Sequence, residues 1–201
     1  MEEPVSEIVG LLLAGGASQR FGDDKLQCKL ADGRPMIVAA AANLMPACDR
    51  LIAVLSTEDG ELASLLSATG CQIVHAAHAS LGIGASLAAG VRASAKADGW
   101  LVALADMPYI ESRSHRCVLA QLRTGASLAA TQYQGRRGHP VGFSKKWYSQ
   151  LVGLRGSQGG KTLLERHPDE LILCPVDDQG VVWDIDHPED LQRAFKRCHN
   201  N

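Results

Sequence analysis

From Ile8 to Ala105 short apolar runs alternate with helical stretches, and this alternation restricts the fold more than any other feature of the chain. The apolar runs are Ile8 to Leu13, Arg50 to Leu55, Gln72 to His75 and Gly99 to Ala105, all of strand length. Helical spacing is predicted for Pro35 to Leu44, which is Ala-rich and opens at Gly33-Arg34-Pro35. It returns for Glu58 to Ala68, ending at Gly70, and for Ala85 to Ala95. A strand–helix unit repeated in this way predicts a mostly parallel sheet with helices on both faces. The run Gly99 to Ala105 (GWLVALA) is the most apolar, which predicts a central position.

Beyond Ala105 the pattern loosens. A helix is predicted around Ser114 to Leu122, a strand at Ala126 to Gln132 and a short strand at Pro140 to Phe143. Ser144 is placed to cap a helix reaching about Leu154. Gly156 to Gly160 reads as a loop, Lys161 to Arg166 as a short helix, and Leu171 to Val176 as a strand. A last strand is expected at Val181 to Asp184 and a C-terminal helix at Pro188 to Arg197. A chain of 201 residues, 46% of them hydrophobic, suffices for one α/β domain with a full core. No linker, repeat or low-complexity segment divides it, so residues 1–201 read as one domain with residues 1–7 as a tail.

The formal net charge of −2 excludes nucleic-acid binding by bulk electrostatics, which calls for a basic excess; a nucleotide needs only local cations. No apolar run has the length of a membrane span, and the acidic N-terminus lacks a signal-peptide pattern, so a cytoplasmic protein is expected. The six cysteines are scattered without a C-x-x-C pair and read as thiols rather than zinc ligands or disulfides.

Against this background the stretch Leu11 to Lys25, LLLAGGASQRFGDDK, stands out. The strand ending at Leu13 breaks into Ala14-Gly15-Gly16, where missing side chains let backbone N–H groups approach a ligand, and Ser18, Arg20 and Lys25 follow. A glycine-rich loop carrying an Arg and a Lys is suited to polyphosphate. The simpler reading is a tight turn with two solvated cations. The loop lacks the G-K-[ST] ending of a P-loop and the G-x-G-x-x-G spacing of a dinucleotide fold.

Acidic groups recur at two places. Asp106, in ADMP, stands at the carboxyl end of the fourth strand, where open α/β sheets bind ligands, and Pro108 stiffens the chain beyond it. Asp184-Ile185-Asp186 puts two carboxylates two residues apart, on one side of an extended segment. One of them with Asp106 would make a hard oxygen site for Mg²⁺ bridging phosphates. Alternatively, Asp186 caps the last helix and Asp184 is solvated. Gly135 to Pro140 (GRRGHP) reads either as a basic loop for an anionic second substrate or as a solvated hairpin tip. The Gly82-containing turn with Ser86 would hold a base, a ribose or a phosphate, or simply cap a helix. No nucleophilic triad or G-x-S-x-G elbow is present.

Together these segments resemble the nucleotidyltransferases that complete the molybdenum cofactor, the CTP:molybdopterin cytidylyltransferase-like and MobA-like branch of the nucleoside-triphosphate transferases. LAGGASQRFGDDK is similar to their L-A-[AG]-G-x-S-x-R-x-G-x-x-K signature. ADMP resembles G-D-M-P with Ala105 for Gly, and GIGASLAAGV, RGHPVGF and DIDHPEDL resemble the cytidylyltransferase segments, with His187 where Thr is usual. Gly15-Gly16 is closer to the guanylyl branch. The resemblance implies a three-layer α/β/α sandwich around a Rossmann-like mixed sheet. It implies CTP or GTP as donor, Mg²⁺ or Mn²⁺ as cofactor, and molybdopterin as acceptor, with a molybdoenzyme apoprotein as a further partner. Leu13, Ala14, Gly15, Gly16, Ser18, Arg20, Lys25, Gly82 and Ser86 would bind the nucleotide, Arg20, Lys25 and Asp106 acting in catalysis. Asp106 and Asp186, or Asp184 in its place, would hold the metal, and Arg137, Gly138 and His139 would face the acceptor.

Overall fold

The computed structural model describes residues 7–14, 25–56, 60–77, 82–187 and 189–191. Gly15, Gly16, Ser18 and Arg20 of the first loop lie outside the described residues, as does most of the C-terminal helix expected from Pro188; residues 189–191 are helical. Seven strands, β1 (Ile8–Leu13), β2 (Arg50–Leu55), β3 (Gln72–His75), β4 (Gly99–Leu104), β5 (Leu128–Tyr133), β6 (Arg136–Ser144) and β7 (Leu171–Pro175), form one sheet. Their order is β3-β2-β1-β4-β6-β5-β7, so β4 is central as its composition predicts. β6 runs antiparallel to β4 and β5, and the other pairings are parallel.

Alternation along the strands divides the core into two layers. Leu101 and Ala103 of β4 face α1 (Met36–Leu44) and α4 (Ser112–Arg123), joining Ile37, Leu44, Val118 and Leu122. Trp100 and Val102 face α3 (Ile83–Ala93), α5 (Tyr148–Val152) and α6 (Lys161–Arg166), joining Leu87, Val91, Leu151 and Leu164. The helix α2 (Gly60–Ser67) adds Leu62 and Leu66 to the first layer. The result is the three-layer arrangement that the strand–helix alternation requires.

Two expectations fail. Val181 to Asp184 is not a strand: Gln179–Val182 is a 3₁₀ turn, and Val181 is buried against Met107 and Ile110 rather than paired in the sheet. Its apolar character comes from this local packing, not from a ladder. Residues 136–140 are not a loop but the outer half of β6; the hairpin tip is only Gln134-Gly135, both at positive φ (46° and 79°). Positive φ at both central residues is what a two-residue hairpin turn with strand-matching twist needs. Ser144 stands at the predicted cap position, but its side chain makes no capping bond, and a 3₁₀ turn, Lys145–Trp147, precedes the short α5.

Candidate active site

The chain order reverses between β1 and β4, since β1 leads outward to β2 and β3 while β4 leads to β6. Ligands of open α/β sheets sit at such a switch point, beyond the carboxyl ends of the strands. There the Ala14 N–H donates to the Val54 carbonyl and the Ala105 N–H to the Leu13 carbonyl, tying the strand exits together. Leu13 and Ala14 are buried at this rim.

Lys25 opens a 3₁₀ turn, Lys25–Gln27, anchored by Leu26 and Leu30 in the core beside α1. Its ammonium reaches across the switch point and donates to Asp106 Oδ2 and to Asp186 Oδ1, 3.2 Å in each case. The lysine side chain is 7% exposed, Asp106 30% and Asp186 48%. Three residues separated by 81 and 161 positions therefore converge on one point that still opens to solvent.

Asp186 is held there by its neighbours. Ile185 is fully buried and its N–H donates to the Asp106 carbonyl at 2.9 Å, pinning the DID segment to the end of β4. Asp190, within the helical residues, reaches back and its Oδ2 accepts from the N–H groups of Asp186 and His187, fixing the backbone at Asp186. The Asp186 carboxylate is thus left for Lys25. Asp184 lies close by and exposed, with no ion pair to Lys25. Its carboxyl is pushed above the ordinary carboxylate range by partial desolvation, and further by the Asp186 and Asp106 charges, with Lys25 opposing. Among the described residues no group of three or more His, Cys, Asp or Glu side chains is placed to hold a metal alone. Two converging carboxylates are the number a protein commonly supplies where phosphates and water complete the shell of Mg²⁺, so the residues present fit such an ion.

Beside this point a cavity of about 490 Å³ opens between α3, β4, β6 and the segment 157–164. Its walls are largely apolar, with Ile83, Leu87, Val102, Val141, Phe143 and Leu164, while Arg137, His139 and Lys161 contribute its nitrogen groups. His139 borders the cavity, but its Nδ1 is sealed from water and has no hydrogen-bond partner among the described residues. Burial pushes this imidazole down to about 4, against a hydrogen bond with the Val102 backbone, so the ring is neutral near pH 7. Gly138 does not border an open loop. A Cβ there would lie 2.1 Å from the Val181 carbonyl oxygen, so β6 and the 3₁₀ turn touch backbone to backbone. Gly138→Ala should therefore destabilise the chain by about 1–3 kcal/mol through overpacking. Urea denaturation checks this; an unchanged midpoint would show that the contact is not maintained.

The glycines leading into α3 have a similar use. The Gly84 N–H donates to the Gly156 carbonyl at 2.9 Å, and a Cβ on Gly84 would lie 2.3 Å from the Gln158 carbonyl oxygen. Gly82 is the N-cap of α3 and packs on the same segment. These small residues thus let residues 156–158 close on the helix start, and one of its free donors is already used. Ser86, one turn on, is 1% exposed and its Oγ has no hydrogen-bond partner among the described residues.

A sheet of this order, with an acidic β4 exit facing a lysine that follows β1, is an open α/β sheet with a charged site at its switch point. Residues 10–171 match the MobA-like NTP transferase domain, and the chain belongs to that family. It is 30% identical over 193 residues to the purine catabolism protein PucB of Bacillus subtilis, covering 91% of this chain and 93% of that one. It is 26% identical over 197 residues to nicotine blue oxidoreductase of Paenarthrobacter nicotinovorans, covering 94% and 96%. Among solved structures, the homologue of Mycobacterium tuberculosis Rv0371c from Mycobacterium sp. strain JC1 superposes with a TM-score of 0.79 at 28% identity, over 94% of this chain and 96% of that one. Rv0371c itself, in complex with manganese, gives 0.74 at 22%, over 95% and 99%.

Proposed function

We propose that this chain is a divalent-metal-dependent nucleotidyltransferase that moves CMP from CTP to the terminal phosphate of molybdopterin and releases pyrophosphate, with GTP as the alternative donor. The observation that carries the reading is Lys25 Nζ at 3.2 Å from both Asp106 and Asp186, at the switch point of a sheet of this family. A protein that merely carried a cofactor would have no use for two acidic groups and a buried ammonium converging on one open position.

The reaction needs few protein groups. An oxygen of the acceptor phosphate, already ionised, attacks the α-phosphorus. The bond from that phosphorus to the α–β bridging oxygen breaks, and pyrophosphate leaves with the electron pair. No protein base has to remove a proton, in keeping with the lack of a nucleophilic triad in the sequence. Positioning and charge neutralisation remain, and these supply most of the acceleration in phosphoryl-group chemistry. Asp106 and Asp186 would hold Mg²⁺ or Mn²⁺, which supplies positive charge to the triphosphate. The manganese complex of Rv0371c supports a divalent ion in this fold. Lys25 would turn from the carboxylates to the phosphate oxygens, and the sequence signature assigns Gly15, Gly16, Ser18 and Arg20 to the same triphosphate. The turn at Gly82 would lie toward the base, with Ser86 buried behind it.

The cavity lined by Arg137 and His139 suits the acceptor. Its apolar walls favour a flat ring system over a sugar, whose hydroxyls would demand more hydrogen-bonding partners. Thermal shift with CTP, GTP, ATP and UTP, each with and without Mg²⁺, tests the reading. A Mg²⁺-dependent rise with one nucleotide is expected and names the base. No rise with any of the four would instead favour a non-catalytic carrier.

A further inference from the structure

Asp178 belongs to none of the groups discussed so far, yet it is the most heavily bonded buried carboxylate near the site. It is 5% exposed and precedes the 3₁₀ turn Gln179–Val182. Its Oδ1 accepts from the Gly180 N–H at 2.9 Å. Its Oδ2 accepts from the Glu111 N–H at 2.9 Å and from the Ser114 hydroxyl at 2.6 Å. The last two donors lie at the start of α4. Glu111 is the N-cap of that helix, but its own side chain makes no capping bond and pairs with Arg113. Asp178, 64 residues beyond Ser114, thus binds the N–H of the N-cap residue and the Ser114 hydroxyl, and its negative charge stands at the positive end of the helix.

These bonds join the two segments that deliver the acidic groups. The turn from β4 into α4 carries Asp106; the segment after β7 carries Asp186. Besides Asp178, they are tied by the bond from the Ile185 N–H to the Asp106 carbonyl. A Cβ on Gly180 would lie 2.3 Å from the Tyr109 carbonyl oxygen, and the Tyr109 and Trp183 rings stack at 5.4 Å. The same 3₁₀ turn meets β6 through Val181 and Gly138. One turn thus touches the exit of β4, the DID segment and the strand bordering the cavity.

We infer that Asp178 is a positioning residue: by tying the start of α4 to the 3₁₀ turn in the far half of the chain, it fixes the separation of Asp106 from Asp186 and of both from β6. The inference rests on the reading of Asp106 and Asp186 as the cation-binding pair. Asp178 touches neither nucleotide nor acceptor; it acts by preventing the two acidic segments from drifting apart. Supporting groups of this kind govern metal affinity and in-line geometry more than nucleotide binding.

The test uses Asp178→Asn in the full chain. The substituted amide sets an N–H group against one of the three donors and removes the charge opposite α4. Mn²⁺ alone is titrated by electron paramagnetic resonance, and kcat and KM are measured with the nucleotide that gives the thermal shift. The expected result is a folded protein whose Mn²⁺ affinity and kcat each fall by about 10–100-fold, the usual effect of losing a supporting group. KM for the nucleotide stays within about twofold, because uniform binding is untouched. Ser114→Ala, which deletes one hydrogen bond and no charge, should move both quantities the same way by about threefold to tenfold. A folded Asp178→Asn chain with wild-type Mn²⁺ affinity and kcat overturns the inference. If that variant does not fold, unchanged values in Ser114→Ala do the same. A wild-type chain that binds no Mn²⁺ either alone or together with the nucleotide overturns the reading of the acidic pair itself, which is a separate failure.

Discussion

Lys25→Ala is expected to lower kcat by about two to three orders of magnitude, the scale seen when one preorganised donor to a developing charge is removed. The effect on folding should be much smaller. Lys25 is buried, but its partners are not: the Asp106 and Asp186 side chains keep 30% and 48% of their exposure. Water can take over their hydration when the ammonium goes. The cost is therefore nearer the ~1 kcal/mol of an exposed pair than the ~3–5 kcal/mol of a sealed one. Lys25→Met is the cleaner variant, because it retains most of the aliphatic stem that packs against the core. Both should retain circular dichroism and a near-normal urea midpoint while losing turnover. Near-normal kcat in either would remove Lys25 from the chemistry and leave it as a tether between two acidic segments.

The first half of the fold was legible in the sequence because local signals and tertiary demands agree there. β1 to β4 are short and separated by glycine or proline; β1, β2 and β4 are apolar and the sheet buries them on both faces, while β3 at its edge stays partly exposed. The second half is less transparent because burial and periodicity come apart. Arg136 and Arg137 sit in β6, yet they read as loop because a hairpin end is exposed and tolerates charge. Val181 and Val182 read as strand, yet their 3₁₀ turn is held by Asp178 and by packing on Met107 and Ile110. A contact between residues 111 and 178 leaves no periodic trace, so Asp178 is visible in sequence only as an Asp before Gln-Gly. The place of Asp106 just beyond the end of β4 was legible from the apolar run before it. Choosing between Asp184 and Asp186 was not possible from their spacing, since both flank the buried Ile185. Only the backbone bond from Ile185 to Asp106, and the capture of the neighbouring N–H groups by Asp190, turn Asp186 to Lys25.

That distinction gives the second large effect. Asp106→Asn keeps the volume of the side chain, and the main-chain carbonyl that accepts from Ile185 is unaffected. The fold should therefore persist, with a thermal midpoint close to that of the wild type. The substitution removes one of two negative charges from the position where a cation and a triphosphate must meet. An amide is a poor ligand for Mg²⁺, which is usually bound by one or two carboxylates together with substrate phosphates. We expect kcat to fall by about a thousandfold and the Mg²⁺ concentration for half-activation to rise by at least about tenfold. Asp186→Asn should behave in the same way, since its carboxylate meets the same ammonium at the same distance. Asp184→Asn supplies the contrast, because Asp184 has no ion pair to Lys25 and lies exposed beside the site. Its kcat should stay within about threefold of wild type, as expected for a surface change outside the machinery. Kinetics of the three variants over a Mg²⁺ series would assign the DID pair. If Asp184→Asn were the one that failed, the acidic pair would be Asp106 with Asp184, and Asp186 would serve only to hold Lys25 before nucleotide binds.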